Sequence, residues 1–196
     1  MNFLDQNSGW LGLPPESSWE VKNDLSDSNP FVEYRKLLWS YHLATTKGLS
    51  DQDFLTVVKN LDEAVSEIET IGFQETPLVL LSELSEAIGQ NGGVWAKNET
   101  VNVSGSHKAR HLFGLAIRLE LEEVSKNTPL TIASCGNAAL AASVIAKAAK
   151  RTLTVNVPTW AETSLLDELS DNGAQVQICE RRSDESGDPC MLRFRE

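Results

Sequence analysis

The sequence predicts an α/β fold: a parallel sheet wound by crossover helices and preceded by N-terminal helices. Two observations carry this. From Leu130 to Cys179, short apolar strand patterns alternate with helical patterns across short linkers, which is the rhythm of strands joined by crossover helices. From Pro30 to Gly72, by contrast, the apolar residues recur only at helical spacing.

Residues 1–29 are rich in Ser, Asn, Asp and Pro and read as an irregular arm. Trp10 and Trp19 suggest that the arm docks, because exposed indoles are costly. Residues 30–75 form a helical segment. Its first helix opens at Pro30, carries Phe31, Tyr34, Leu37, Leu38 and Tyr41 on one side, and ends at Gly48. Ser50 and Asp53 stand in capping-box spacing at the start of a second helix. That helix aligns Phe54, Val57, Val58, Leu61, Val65 and Ile68, and Gly72 closes it.

Residues 76–180 then read as an α/β unit. Pro77–Leu81 is short and apolar, Ser82–Ile88 is a short helix, and Val94–Lys97 is a strand. A helix spans about His107–Val124. Strands follow at Leu130–Ala133, Leu153–Val157 and Gln175–Cys179, separated by helices at Asn137–Lys150 and Glu162–Asn172. Residues 181–196 read as a polar tail with no helix or closing strand. A sheet ending there would keep an open edge, so the expectation is a fragment, or a chain that needs a second half.

The chain has 196 residues, 41% of them hydrophobic, enough for a real core. Its 17 basic and 28 acidic residues leave a net charge of −11, which argues against nucleic acid as a partner. No apolar run reaches the length of a membrane helix, and the first residues lack the pattern of a signal peptide, so neither a membrane nor export is expected. Three widely spaced cysteines, Cys135, Cys179 and Cys190, do not read as a disulfide framework or a zinc site, and a reducing cytoplasm fits them.

Two loops carry the chemistry, Ser104–Arg110 and Ala133–Ala138. Each is small and polar and directly precedes a helix. Ligands of open α/β sheets bind at the carboxyl ends of strands, where unpaired backbone N–H groups at helix starts attract anions. Lys108 falls in the first turn of its helix. The positive end of the helix dipole disfavours an ammonium there, and a neutral amine is the nucleophile that condenses with an aldehyde. An arbitrary lysine is usually just solvated, and it is the pairing of two such loops that singles this one out.

Ser106-His107-Lys108 with Arg110 resembles the lysine motif of the tryptophan synthase β-like pyridoxal phosphate (PLP) enzymes, known as fold type II. Threonine synthases carry Ser-Phe-Lys-Asp-Arg there, and tryptophan synthase β chains place a His before the Lys. Ser134-Cys135-Gly136-Asn137 resembles the family's Ser-x-Gly-Asn substrate loop. Thr76-Pro77-Leu78 and Val94–Glu99 resemble elements that precede the lysine.

The resemblance implies that Lys108 forms the Schiff base with PLP and moves the α-proton. It implies that Asn137 hydrogen-bonds the pyridine 3′-oxygen and that His107 lies near the cofactor phosphate. Ser134, Cys135, Gly136, Asn137 and Ala138 would receive the carboxylate of a small amino-acid substrate. The implied reaction is elimination or replacement at the β- or γ-carbon, threonine synthase-like or amino-acid ammonia-lyase. Family members are often dimeric, so a homodimer is a candidate assembly. The family's downstream glycine-rich phosphate loop has no counterpart here. Gly89, Gly92 and Gly93 come before the lysine and read as turn glycines.

Other readings stay open. A Rossmann-like module could hold a nucleotide on the Ile132–Asn137 turn, although G-x-G-x-x-G is missing and no acidic residue ends the next strand. A non-catalytic α/β remnant would keep the fold without the cofactor. Cys135 stands at a helix start that favours a thiolate, but no base partner is evident. His42 and His111 read as ordinary helix residues, the Ala138–Ala149 run as close helix packing, and Glu120, Glu122 and Glu123 as a solvated face.

Overall fold

A computed structural model of the chain describes residues 27–196; most of the arm expected over 1–29, with Trp10 and Trp19, lies outside the described residues. The helix expected from Pro30 to Gly48 is divided. Helix α1 spans Pro30–Glu33, a 3₁₀ turn Arg35–Leu37, and helix α2 Trp39–Thr46. Asn29 caps α1, its side-chain oxygen accepting from Phe31 N at 2.8 Å. The break follows from a long-range ion pair. The buried Arg35 side chain donates to the Val32 carbonyl and to both oxygens of Asp51, at 2.7 and 3.1 Å. Leu38 is extended, and a new helix starts after it.

Helix α3 spans Asp51–Glu69 and opens on the expected capping box. Ser50 Oγ accepts from Asp53 N at 3.2 Å, and Asp53 Oδ2 accepts from Ser50 N at 2.8 Å. It ends at Thr70 (φ 64°), ahead of the expected Gly72. Its buried stripe is Phe54, Leu55, Val58, Leu61 and Val65. Asp62 ties this helix to two neighbours, accepting from Asn29 Nδ2 at 2.8 Å and from Phe73 N at 2.7 Å.

Strand β1 (Leu78–Leu80), helix α4 (Ser82–Ala87) and strand β2 (Trp95–Lys97) form a separate unit. The two strands are antiparallel, with Val79 opposite Ala96, and so do not join the parallel sheet. The return is local. Leu81 N donates to the Val94 carbonyl, and Val94 N donates to Ser85 Oγ on α4, folding the chain straight back on itself.

Helix α5 (Lys108–Leu121) stops short of Val124 because Glu123 is left-handed (φ 54°). The buried Arg151 side chain then collects the carbonyls of Val124 and Ser125, at 2.7 and 2.8 Å. Strand β3 (Leu130–Ala133), helix α6 (Asn137–Ala148), strand β4 (Leu153–Pro158), helix α7 (Thr163–Asp171) and strand β5 (Gln175–Cys179) follow. The sheet order is β3-β4-β5, all parallel, with Ile132 beside Val155 and Val155 beside Val176. This is the α/β architecture with crossover helices that the alternation predicts.

The expectation of no helix in the tail is corrected: α8 spans Pro189–Arg195. Asp188 caps it, accepting from Cys190 N, and Pro189 takes the first position, where its missing N–H costs nothing. Arg193 anchors it through an ion pair with Glu185.

Two cores meet at α6. One combines Phe31, Phe54, Val58, Val65, Phe73, Phe113 and Ile117 with Ala141, Val144 and Ala148 of α6. The other packs Ala139, Ala142 and Ala146 of α6 against Val155, Val157 and Leu169. This explains the alanine-rich run. A helix buried on both sides must present small methyl groups so that its neighbours can approach closely.

Candidate functional site

The loop before Lys108 is shaped by two consecutive left-handed residues, Ser104 (φ 51°) and Gly105 (φ 63°). Ser104 tolerates this because its N–H donates to Glu69 Oε2 at 3.1 Å. Asn102, buried, donates from Nδ2 to the Ser106 carbonyl at 2.9 Å. Asn102 Oδ1 and Ser104 Oγ are buried beside this loop and accept or donate nothing among the described residues. His107 occupies the N-cap of α5 and Lys108 its first position, and both side chains are exposed.

A polar network holds this loop from below, through residues to which the sequence assigns no role. Arg110 Nε donates to Glu99 Oε2 at 2.7 Å, and its Nη2 reaches Glu99 Oε1, Thr76 Oγ1 and the Gln74 carbonyl. Thr76 Oγ1 donates to Glu99 Oε1, and Lys97 Nζ donates to the Thr76 carbonyl. Burial works against ionising Glu99, but the bonds from Arg110 and Thr76 and the charges of Arg110 and Lys97 outweigh it, leaving the carboxyl below its ordinary value. The network joins the Thr76-Pro77-Leu78 element, the Val94–Glu99 strand and the lysine motif. The available signal was the opposed charges of Lys97, Glu99 and Arg110, but nothing local says that they meet.

The second loop leaves the carboxyl end of β3. Ser134 N donates to the Asn156 carbonyl at 3.2 Å, which keeps Ser134 in register with β4. Gly136 is the N-cap of α6 and Asn137 its first residue, and no side chain caps this end. A Cβ at Gly136 would meet nothing within 4 Å, so the turn is open. The first N–H groups of α6 therefore face outward with the positive end of its dipole.

Lys108 and Ala138 line one cleft of about 380 Å³, together with His111, Leu112, Ile132 and Ala142. Ser134 and Cys135 line a different cavity of about 740 Å³, walled by Asn156, Thr159, Trp160 and Arg181 at the carboxyl ends of the three parallel strands. Lys108 and Ala138 thus border one cleft, while Ser134 and Cys135 line the other cavity. Among the described residues no three His, Cys, Asp or Glu side chains are placed to hold a metal ion.

These residues fit a phosphorylated aldehyde cofactor on three counts. A primary amine is exposed at the cleft, an uncapped helix start supplies N–H donors, and Gly136 leaves open space at that helix start.

The comparisons with known proteins agree. The profile of the family described as pyridoxal-phosphate dependent enzyme matches residues 70–193. The serine racemase of Dictyostelium discoideum is similar at 26% identity and a TM-score of 0.52, over 70% of this chain and 42% of that one. A pyridoxal 5'-phosphate-dependent aspartate racemase matches at 25% identity and a TM-score of 0.50, over 66% of this chain and 38% of that one. Maize serine racemase, at 19% identity and a TM-score of 0.51 over 70% and 39%, shares the fold. No curated protein sequence matches the chain. The chain spans about two-fifths of the length of these structures. With well over half of its length matched by one family profile, this chain belongs to the pyridoxal-phosphate dependent enzymes of the tryptophan synthase β-like fold.

Proposed function

We propose that the protein acts on a small amino acid through PLP held at Lys108, with elimination or replacement at the β- or γ-carbon, in the manner of a threonine synthase or an amino-acid ammonia-lyase. One observation carries the reading: Lys108 and the first turn of α6 border a single cleft. When bound, the cofactor supplies an electron sink for the carbanion left at the α-carbon.

The chain's own residues do the rest. Lys108 Nζ would hold the cofactor by its aldehyde carbon and would be the base that takes the α-proton. The backbone N–H groups at the start of α6 would receive the substrate carboxylate, with Gly136, Asn137 and Ala138 forming its seat and Ser134 and Cys135, which line the neighbouring cavity, completing it from the other side of the turn. Asn137 would hold the ring oxygen of the cofactor, and His107 would serve its phosphate. Serine and aspartate racemases, the activities named for two solved neighbours, require the same removal of an α-proton, which supports chemistry at the α-carbon. A homodimer and a cytoplasmic location complete the proposal. Among the described residues no helix is long and apolar enough to cross a membrane.

The test is spectroscopic. The full chain mixed with PLP is expected to develop an absorption band at roughly 410–430 nm, typical of an imine of this cofactor, that Lys108→Ala lacks. Lys108 is exposed, so the variant folds as the parent does. An undiminished band in Lys108→Ala would remove the lysine from the site. No band in the folded parent would favour the non-catalytic reading.

A further inference from the structure

Among the described residues, Thr70, Ser104, Glu123 and Lys150 are left-handed without being glycine. Three of them are ordinary. Thr70, Glu123 and Lys150 follow the ends of α3, α5 and α6, where a left-handed residue commonly closes a helix. Ser104 closes no such helix. It stands in the 3₁₀ turn Val103–Gly105, at φ 51° and ψ 27°, shortly before Lys108.

Folding alone gives no reason for a serine there. A left-handed backbone costs a residue with a Cβ what it does not cost glycine. The Ser104 hydroxyl is also buried, with no hydrogen-bond partner among the described residues. A residue that loses on both counts beside a reactive lysine points to a role in the site.

The turn is clamped on both sides. Val103 is fully buried in the helical core, and the Ser104 N–H donates to Glu69 Oε2 at 3.1 Å. Glu69 is the last residue of α3, a helix of 19 residues with a buried stripe. Beyond Gly105, the Ser106 carbonyl accepts from Nδ2 of buried Asn102 at 2.9 Å. The Lys108 side chain is exposed, so its aim is set by the backbone that carries it. From Ser104 to Lys108 that backbone is a lever of up to about 13 Å. A rotation of about 10° at Ser104 would move the lysine by up to about 2 Å, beyond the roughly 0.5 Å that productive geometry tolerates.

We propose that Glu69, acting through the left-handed Ser104, is a positioning residue that aims Lys108 at the cleft. The inference rests on the reading of Lys108 as the residue that binds the cofactor. A carboxylate holding a backbone N–H makes a charge-assisted bond, and here it ties the lysine loop to a long helix. Ser104 supplies stiffness: glycine at 104 beside Gly105 would put two freely rotating residues in succession.

The experiment uses the full chain and three variants, Glu69→Ala, Glu69→Gln and Ser104→Gly. Each is followed by thermal melting, by amide exchange without cofactor, and by titration of the imine band with PLP. In Glu69→Ala, exchange over Ser106–Arg110 should quicken and the half-saturating PLP concentration should rise, each about tenfold, while exchange in α6 stays as in the parent. Glu69→Gln keeps an oxygen that accepts the Ser104 N–H and should stay within about threefold of the parent. Ser104→Gly should weaken the imine about tenfold without lowering the melting temperature, because it removes both the strain and the unpartnered hydroxyl. A merely structural role would move melting and imine formation together, and that outcome overturns the proposal. Parent-like titrations in Glu69→Ala and Ser104→Gly overturn it as well, while leaving Lys108 in place. A parent without an imine band removes the Lys108 reading first and the positioning role with it. Should Glu69→Ala fail to fold, Ser104→Gly decides.

Discussion

Arg110 grips Glu99 at two points, Nε to Oε2 at 2.7 Å and Nη2 to Oε1 at 3.3 Å, with the side chains 24% and 16% exposed. The pair lies two residues beyond Lys108 along α5 and fastens the start of that helix to the chain leaving β2. A two-point guanidinium–carboxylate contact fixes orientation as well as distance, so the direction in which α5 begins is set by Glu99.

Glu99→Gln is therefore expected to lower stability at pH 7 by roughly 1–3 kcal/mol, less than for a fully buried pair because water still reaches both groups. Glu99 holds its proton less firmly in the folded chain than in the unfolded one. Its contribution is complete above the ordinary value of 4.5 and fades as pH falls through the lower folded value. Urea midpoints of parent and variant should differ at pH 7 and converge below that window. Equal midpoints at pH 7 would show that the pair does not support the fold.

Arg151 is buried and lines the cleft shared by Lys108 and Ala138 while collecting two backbone carbonyls. Lysine cannot reach both with the geometry of a planar fork. Arg151→Lys is expected to cost about 1–3 kcal/mol, since it leaves buried acceptors unmade. Thermal melting checks this, and an unchanged melting temperature would contradict it.

Phe113 meets Phe31 at 4.8 Å and Phe73 at 4.3 Å between ring centroids, closing a three-ring cluster at the heart of the helical core. Phe113→Ala should cost about 3–5 kcal/mol by opening a cavity. A denaturant titration giving under half of that would mean the cluster collapses around the gap.

Gly136→Ala should leave stability within about 0.5 kcal/mol of the parent, because the added methyl group enters open space. Any change in PLP binding by this variant then reports on the turn rather than on the fold. A large drop in melting temperature would show that the turn is more crowded than the structure indicates.

Glu185 is pulled down to about 2, first by the bond from Arg193 and then by the Arg182 backbone N–H. Its hold on α8 is complete above the ordinary value of 4.5 and persists until the pH approaches about 2. Glu185→Gln should speed amide exchange across Cys190–Phe194 at pH 7 while leaving α5 and α6 unaffected. Unchanged exchange in α8 would show that its cap alone secures it.

Local pattern alone determined much of this protein. From Leu130 to Cys179 the strands and helices fall within a few residues of where periodicity puts them, because apolar spacing of two or of 3.6 registers which face is buried. Ser50 and Asp53 announced the start of α3 because a cap is made by neighbours in sequence. The Lys108 and Ser134–Ala138 loops were legible for a similar reason, small polar residues standing directly before helical patterns. What only the tertiary structure decided is set by partners distant in the chain. Asp51 draws Arg35 out of a helix that its own spacing would continue. The chain after β1 returns through Val94 and Ser85 to an antiparallel partner. Glu185 receives a helix in a tail that reads as merely polar. The turn at Ser134–Ala138, one loop in sequence, faces two cavities because α6 starts between them, and the direction of a helix start is fixed by what packs around it.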